Sequence, residues 1–310
     1  MRKIIYIIMG LLFVNVSCSE DTKIGLPVEI ITDYVLPQGD ASDKANARIQ
    51  EIYDTYGSYV LYNYTQKDAF WKQAAGTAAV RKYVIQMGDV QYVDKMLDFI
   101  DDIWLQFFPN EFLKKGGFPY RVFLADVIYQ DRSTEWRPNQ FIYSNQMLND
   151  NSLSIAGMNG ELATMDATTK KARQTELINT MWDYYLAEGF LDVPDEFYEG
   201  TDYTTAPDSL PSVSADQLEK YRKRGFIPSS YSTAGVAVEW YSYAGAWKYA
   251  KTRDLKSYMY HLFNRTREQM AIYLDNPEYE LIQNKWNILI DYYKDKYGID
   301  VWKIGNTTYK

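Results

Sequence analysis

The chain has 310 residues, 46% of them hydrophobic, with 33 Lys and Arg against 41 Asp and Glu and a formal charge of −8. That acidic balance excludes binding to nucleic acid by phosphate neutralisation, which needs clustered Lys and Arg. The densest basic run, Lys220–Gly225, reads as the end of an amphipathic helix, where cations suit the C-terminal dipole.

At the N-terminus, Arg2 and Lys3 precede an apolar run from Ile4 to Val14. The run falls short of the roughly 20 residues a spanning helix needs, and it has the layout of a secretory signal peptide, assigned to residues 1–17. Ser17 then precedes Cys18, the one cysteine, which has no partner for an internal disulfide. A cysteine in this position resembles a bacterial lipobox, with Asn15 standing where Leu is usual. The "SED" that follows Cys18 resembles the acidic export tag of Bacteroidetes surface lipoproteins. Acylation at Cys18 would convert a soluble chain into an anchored one, with roughly 0.8 kcal/mol of membrane affinity for each buried CH₂. The other reading is an ordinary cleaved signal followed by an incidental cysteine. Loss of Arg2 and Lys3 from a chain of charge −8 leaves −10. Residues 18–42, with Pro27, Pro37 and Gly39, form the expected tether, and residues 43–310 the expected domain.

From Ser42 the sequence predicts a capped helix that ends at Gly57. "SYVLYNYT" is rich in strand formers. In "VQYVDKMLDFIDDIWLQFF", Val93, Met96, Leu97, Ile100, Trp104 and Phe107 recur at helical spacing. Asp98, Asp101 and Asp102 then fall near the outer side, as a solvated face or, less simply, as calcium ligands, which need six to eight oxygens from a loop. "YRVFLADVIYQ" reads as a buried strand, and "QFIYSNQML" and "NSLSIAGMN" as two more. Beyond them the sequence predicts helices at Thr168–Glu188, Pro194–Gly200, Ser214–Arg224, Val236–Lys251 and Asp254–Phe263, and a long segment Arg267–Tyr297 that breaks at Asn276-Pro277. Strands first and helices after make an α+β fold.

This order of elements, the signal with Cys18, and several strings resemble the zinc-binding metallopeptidases of Bacteroidetes, also described as substrate import-associated zinc metallohydrolase lipoproteins. The strings are Val90–Leu124, "DVPDEFYEGTDY", "KYRKRGFIPSSYSTAGVAVEWYSYAGAWKYA" and "KWNILIDYYKDKYGIDVWKIG". The ordered set covers most of residues 43–305 and carries more weight than any one string. The resemblance implies a zincin-like α+β fold, with N-terminal strands and a mainly helical C-terminal half. It also implies an H-E-x-x-H helix, whose two His reach one zinc while the Glu polarises the attacking water.

Here the equivalent helix reads Met181-Trp182-Asp183-Tyr184-Tyr185 or Trp182-Asp183-Tyr184-Tyr185-Leu186 at the motif. His261 is the sole histidine of the chain, so no register supplies two imidazoles. A site of carboxylates suits magnesium or calcium better than zinc. The family's downstream carboxylate ligand would fall near Glu239, beside Trp240. The expectation is therefore a homologue without the H-E-x-x-H motif, without zinc and without catalytic metal chemistry.

The remaining candidates are few. Asp183 and Glu239 are candidates for a carboxylate pair, which hydrolyses glycosides at roughly 5 to 9 Å separation, or they pair with cations. His261 is a candidate general base or a buried structural residue. No Gly-x-Ser-x-Gly elbow and no phosphate loop occurs. Tyrosine is abundant, at 29 residues, and suits surfaces that are half apolar and half wet. Trp182, Tyr185, Trp240, Tyr243 and Trp247 are candidates to line a groove for a glycan or peptide; the same spacing also marks a core stripe. The overall expectation is a lipid-anchored outer-membrane or cell-surface protein that binds ligand as an accessory in nutrient uptake. The resemblance adds a TonB-dependent transporter system as partner. The alternative is a hydrolase with a carboxylate site at Asp183 and Glu239.

Overall fold

The computed structural model describes residues 33–70, 82–206, 215–232, 234–239 and 244–310. The expected signal peptide and Cys18 lie outside the described residues. From Leu36 to Lys310 the chain is one folded unit. Its first residues belong to the segment read as tether: Gln38 accepts from the backbone N–H groups of Tyr62 and Asn63, and donates to the Asn63 carbonyl.

The fold is α+β, with the sheet in the N-terminal half and helices in the C-terminal half. The first helix, α1 (Asp43–Tyr56), starts where Ser42 accepts from the Ala45 N–H at 3.1 Å. It stops at Gly57, which takes the left-handed conformation (φ 69°) that a residue with a Cβ resists. Next come β1 (Tyr59–Leu61), α2 (Gln66–Phe70) and β2 (Lys82–Met87); the last two were not read from the sequence. Helix α3 (Val93–Ile103) buries Val93, Met96, Leu97, Phe99, Ile100 and Ile103. Its acidic outer face is ion-paired: Arg48 of α1 bridges Asp98 and Asp101, and Lys170 meets Asp102.

The sheet is organised around the 11-residue β3 (Arg121–Asp131). Its first half lies between β1 and β6 (Ser152–Ile155), parallel to both, while its second half pairs antiparallel with β2 and β4 (Phe141–Ser144). Burial follows that division. Val122 to Ala125 are buried without interruption, as in a strand covered on both faces. Beyond them, buried Ile128 and Gln130 alternate with half-buried Val127 and Tyr129. "QFIYSNQML" forms two strands and not one, because the chain bends at Asn145. β4 thus stays with β3, and β5 (Gln146–Asn149) pairs with β6.

The long helix α4 (Ala167–Ala187) is capped by Asp166 and buries Leu177, Ile178, Met181, Trp182, Tyr184 and Tyr185. It is followed by α5 (Ala215–Lys223), α6 (Ala250–Asn264), α7 (Arg267–Leu274), α8 (Glu280–Tyr297) and α9 (Val301–Asn306). The break at Asn276-Pro277 separates α7 from α8.

Two expected helices differ. Pro194–Gly200 holds only a 3₁₀ turn, Asp195–Tyr198. The described residues of Val236–Lys251 before Ala250 are not α-helix. Ala237–Val238 (β8) pairs with Ser230–Tyr231 (β7) as a small hairpin, Ala244–Tyr249 is 3₁₀, and regular helix begins at Ala250. The Ser229 N–H and hydroxyl both donate to the Val238 carbonyl. Extended pairing suits β-branched Val238 better than the helix its aromatic spacing suggested.

A buried ion pair joins α6 to α8. Lys285 and Asp254 have side-chain exposures of 1% and 0%. The ammonium also donates to the Gly225 carbonyl at 3.2 Å and the Tyr203 hydroxyl at 3.3 Å, among the rings of Phe197, Tyr203, Phe226 and Tyr258. Gly225 holds φ +86°, with Leu281 Cβ 3.1 Å from where a Cβ would stand, so a side chain there is strained and crowded. Burial pushes the Lys285 pKa down and the Asp254 pKa up, opposed in each by the partner's charge. Lys285→Met, which strands a buried carboxylate, is expected to cost about 3 to 5 kcal/mol in urea unfolding. Lys285→Met with Asp254→Leu is expected to recover a large part of that loss.

Candidate functional site

A cleft of about 600 Å³ lies between α4 and α6. Its size falls within the roughly 300 to 1,000 Å³ typical of small-ligand pockets. From α4 come Asn179, Trp182, Asp183 and Leu186, the last three within the stretch where the resemblance would put H-E-x-x-H; α6 supplies Arg253, Leu255, Lys256, Met259, Tyr260 and Phe263. Trp182, Leu255, Met259 and Phe263 are buried and form an apolar base. Asp183 and Lys256 are each 62% exposed and meet at 3.1 Å across the mouth.

Trp182 is held edge-on by Phe263 and Tyr293, at centroid distances of 5.0 and 4.7 Å. Its indole N–H has no acceptor among the described residues. Tyr185 is fully buried, and its hydroxyl donates to the Gly117 carbonyl at 2.7 Å and accepts from the Trp104 indole at 3.2 Å. The rings of Phe108 and Phe112 stand edge-on to it. Tyr185 is therefore part of the core and does not line the cleft. Trp247 lies in a second, smaller cluster with Tyr221 and Phe226, and its indole donates to the Tyr203 carbonyl at 2.8 Å. It too is apart from the cleft-lining residues. Trp240 and Tyr243 lie outside the described residues.

Glu239 is engaged by Arg222 of α5, with side-chain exposures of 11% and 7%, and is not among the cleft-lining residues. The two carboxylates considered as a pair are thus tied to different cations on different helices, Asp183 to Lys256 and Glu239 to Arg222.

His261 is wholly buried. Its Nε2 donates to the Pro228 carbonyl at 2.7 Å, and Nδ1 has no partner among the described residues. Burial, reinforced by the charges of Arg265 and Arg222, pushes its pKa down from 6.5 to about 3. It is a neutral structural residue with no nucleophile beside it in any contact described.

These residues do not fit zinc. A catalytic zinc site takes three protein ligands and an open position. The motif turn offers one carboxylate, already paired, and the one imidazole spends a nitrogen on a backbone carbonyl inside the core. Among the described residues, no three His, Cys, Asp or Glu side chains are grouped to hold a metal ion.

No protein-family model and no curated protein matches the chain. Among solved structures, one described as a "putative zinc-binding metallo-peptidase" from Bacteroides caccae ATCC 43185 is similar, with a TM-score of 0.43 and 12% identity. The similarity covers 86% of this chain and 91% of that one.

Two predictions follow from these environments. Trp182→Ala removes a buried ring and is expected to cost about 3 to 5 kcal/mol in chemical denaturation, as a core residue does. His261 has a folded pKa below its unfolded one, so its contribution is fully present above pH 6.5 and lost as pH falls toward 3. One proton taken up on unfolding gives at most about 1.4 kcal/mol per pH unit, so stability should fall by about 1 to 2 kcal/mol from pH 7 to pH 5 on this account. His261→Gln should flatten that part of the urea-midpoint profile.

Proposed function

We propose that this chain is a lipid-anchored surface protein that binds a glycan or peptide in the cleft between α4 and α6 without cutting it, as an accessory in nutrient uptake. The observation that carries the reading is the chemistry of the cleft: an apolar base, a polar rim, and no donor set for a hydrolytic metal. Trp182 gives that base an aromatic wall, and Asn179 and Tyr260 give the rim uncharged hydrogen-bonding groups. Such a mixture suits sugar rings or peptide side chains, which present apolar and polar faces together. Anchoring at Cys18 and work beside a TonB-dependent transporter rest on the sequence resemblance.

The competing reading is a hydrolase that uses Asp183 and Glu239. Its weakness is that each carboxylate already has its own cation.

Binding tests the proposal. Wild-type protein is screened on glycan and peptide arrays, and each hit is titrated against Asn179→Trp and Thr252→Trp, one on each wall of the cleft. Blocking the cleft should weaken binding by at least about 10-fold, the scale of a lost apolar contact. Unchanged affinity in both folded variants, or hydrolysis of the bound ligand by wild type, would overturn the reading.

A further inference from the structure

The cleft has a charge pattern unlike that of the chain around it. The chain carries −8, yet the cleft-lining residues include two cations, Arg253 and Lys256, and one acid, Asp183. We infer that the ligand of this cleft bears a carboxylate beside an apolar or ring-shaped body, and that Lys256 leaves Asp183 to receive it. The inference rests on the cleft being a binding site, as proposed above, and adds the sign and place of the ligand's charge.

The Asp183–Lys256 pair is the device. Both side chains are 62% exposed, so water screens their attraction. An exposed pair of this kind adds little stability, so exchanging its carboxylate costs little. Lys256 projects from α6 one turn before Tyr260, and residues four apart on a helix share a face. Both line the cleft above buried Met259 and Phe263. A ligand carboxylate at Lys256 would therefore set the adjoining body over the apolar base. Asp183, released, turns to solvent without being left buried and unpaired. The same chemistry is presented by an acidic sugar and by the C-terminus of a peptide with an apolar last residue.

Matched ligands separate the charge from the body and the two sources from each other. The probes are trigalacturonate with its methyl ester, and acetyl-Ala-Ala-Phe as free acid with its amide, titrated calorimetrically against wild type, Lys256→Glu, Asp183→Asn and Thr252→Trp. The inference expects at least one acid to bind more tightly than its neutral counterpart. Lys256→Glu should weaken that acid by about 10-fold or more, while Asp183→Asn strengthens it by about 2- to 5-fold through loss of the competing carboxylate. The preference should shrink as salt rises. Whichever acid responds identifies the source.

Equal binding of acid and neutral forms, blocked by Thr252→Trp but indifferent to both charge variants, would overturn the inference and leave the binding site standing. Weaker binding to Asp183→Asn would overturn it in favour of a cationic ligand. No binding that Thr252→Trp blocks would overturn the binding site itself, and the inference with it.

Discussion

The helical half depends on one buried cation and the groups that satisfy it. Lys285 of α8 meets Asp254 of α6, the Gly225 carbonyl and the Tyr203 hydroxyl where water has no access. Tyr203 also donates to Asp254, and Tyr258 donates to Gly225 at 2.8 Å, so both acceptors are shared. A charge taken out of water is tolerated only with this degree of satisfaction. The arrangement fixes α6 against α8 and the loop after α5. Two residues beyond Asp254, the same helix presents Lys256 to the cleft. The placement of the cleft wall thus follows from a pair that never touches the cleft.

The other wall is set by the N-terminal half of α4. Gln174 donates to the Ile304 carbonyl at 2.8 Å, and Lys171 donates to the carbonyls of Ile304 and Gly305, so the C-terminal helix α9 is tied to α4 by backbone acceptors. Arg173, nearly buried, donates to the Ala156 carbonyl at 2.7 Å just past β6. One helix therefore links the sheet, the C-terminus and the cleft. Trp182 packs against Phe263 and Tyr293, and Tyr185 against Phe108 and Phe112.

Local features were the most legible in the sequence. The Ser42 cap, the Gly57 stop, the apolar stripe of α3 and the uninterrupted run of β3 each follow from neighbouring residues. The false helix at Val236–Lys251 arose because aromatics at helical spacing were read without the extended preference of Val238. The Lys285–Asp254 pair was not legible, since nothing local links residues 31 apart. Asp183 was marked out by its place in a motif, but its partner Lys256, 73 residues on, was not. The solvated face read into Asp98, Asp101 and Asp102 was half the answer, because Arg48 and Lys170 come from distant helices to meet it.

The central proposal is that the cleft between α4 and α6 has no donor set for a hydrolytic zinc. Zinc bound per chain, measured by elemental mass spectrometry after equilibration with zinc and removal of free ion, tests it directly. The account predicts well under about 0.1 equivalent retained, as expected for a site without three ligands. One equivalent, held tightly and lost on substitution of Asp183, would contradict it.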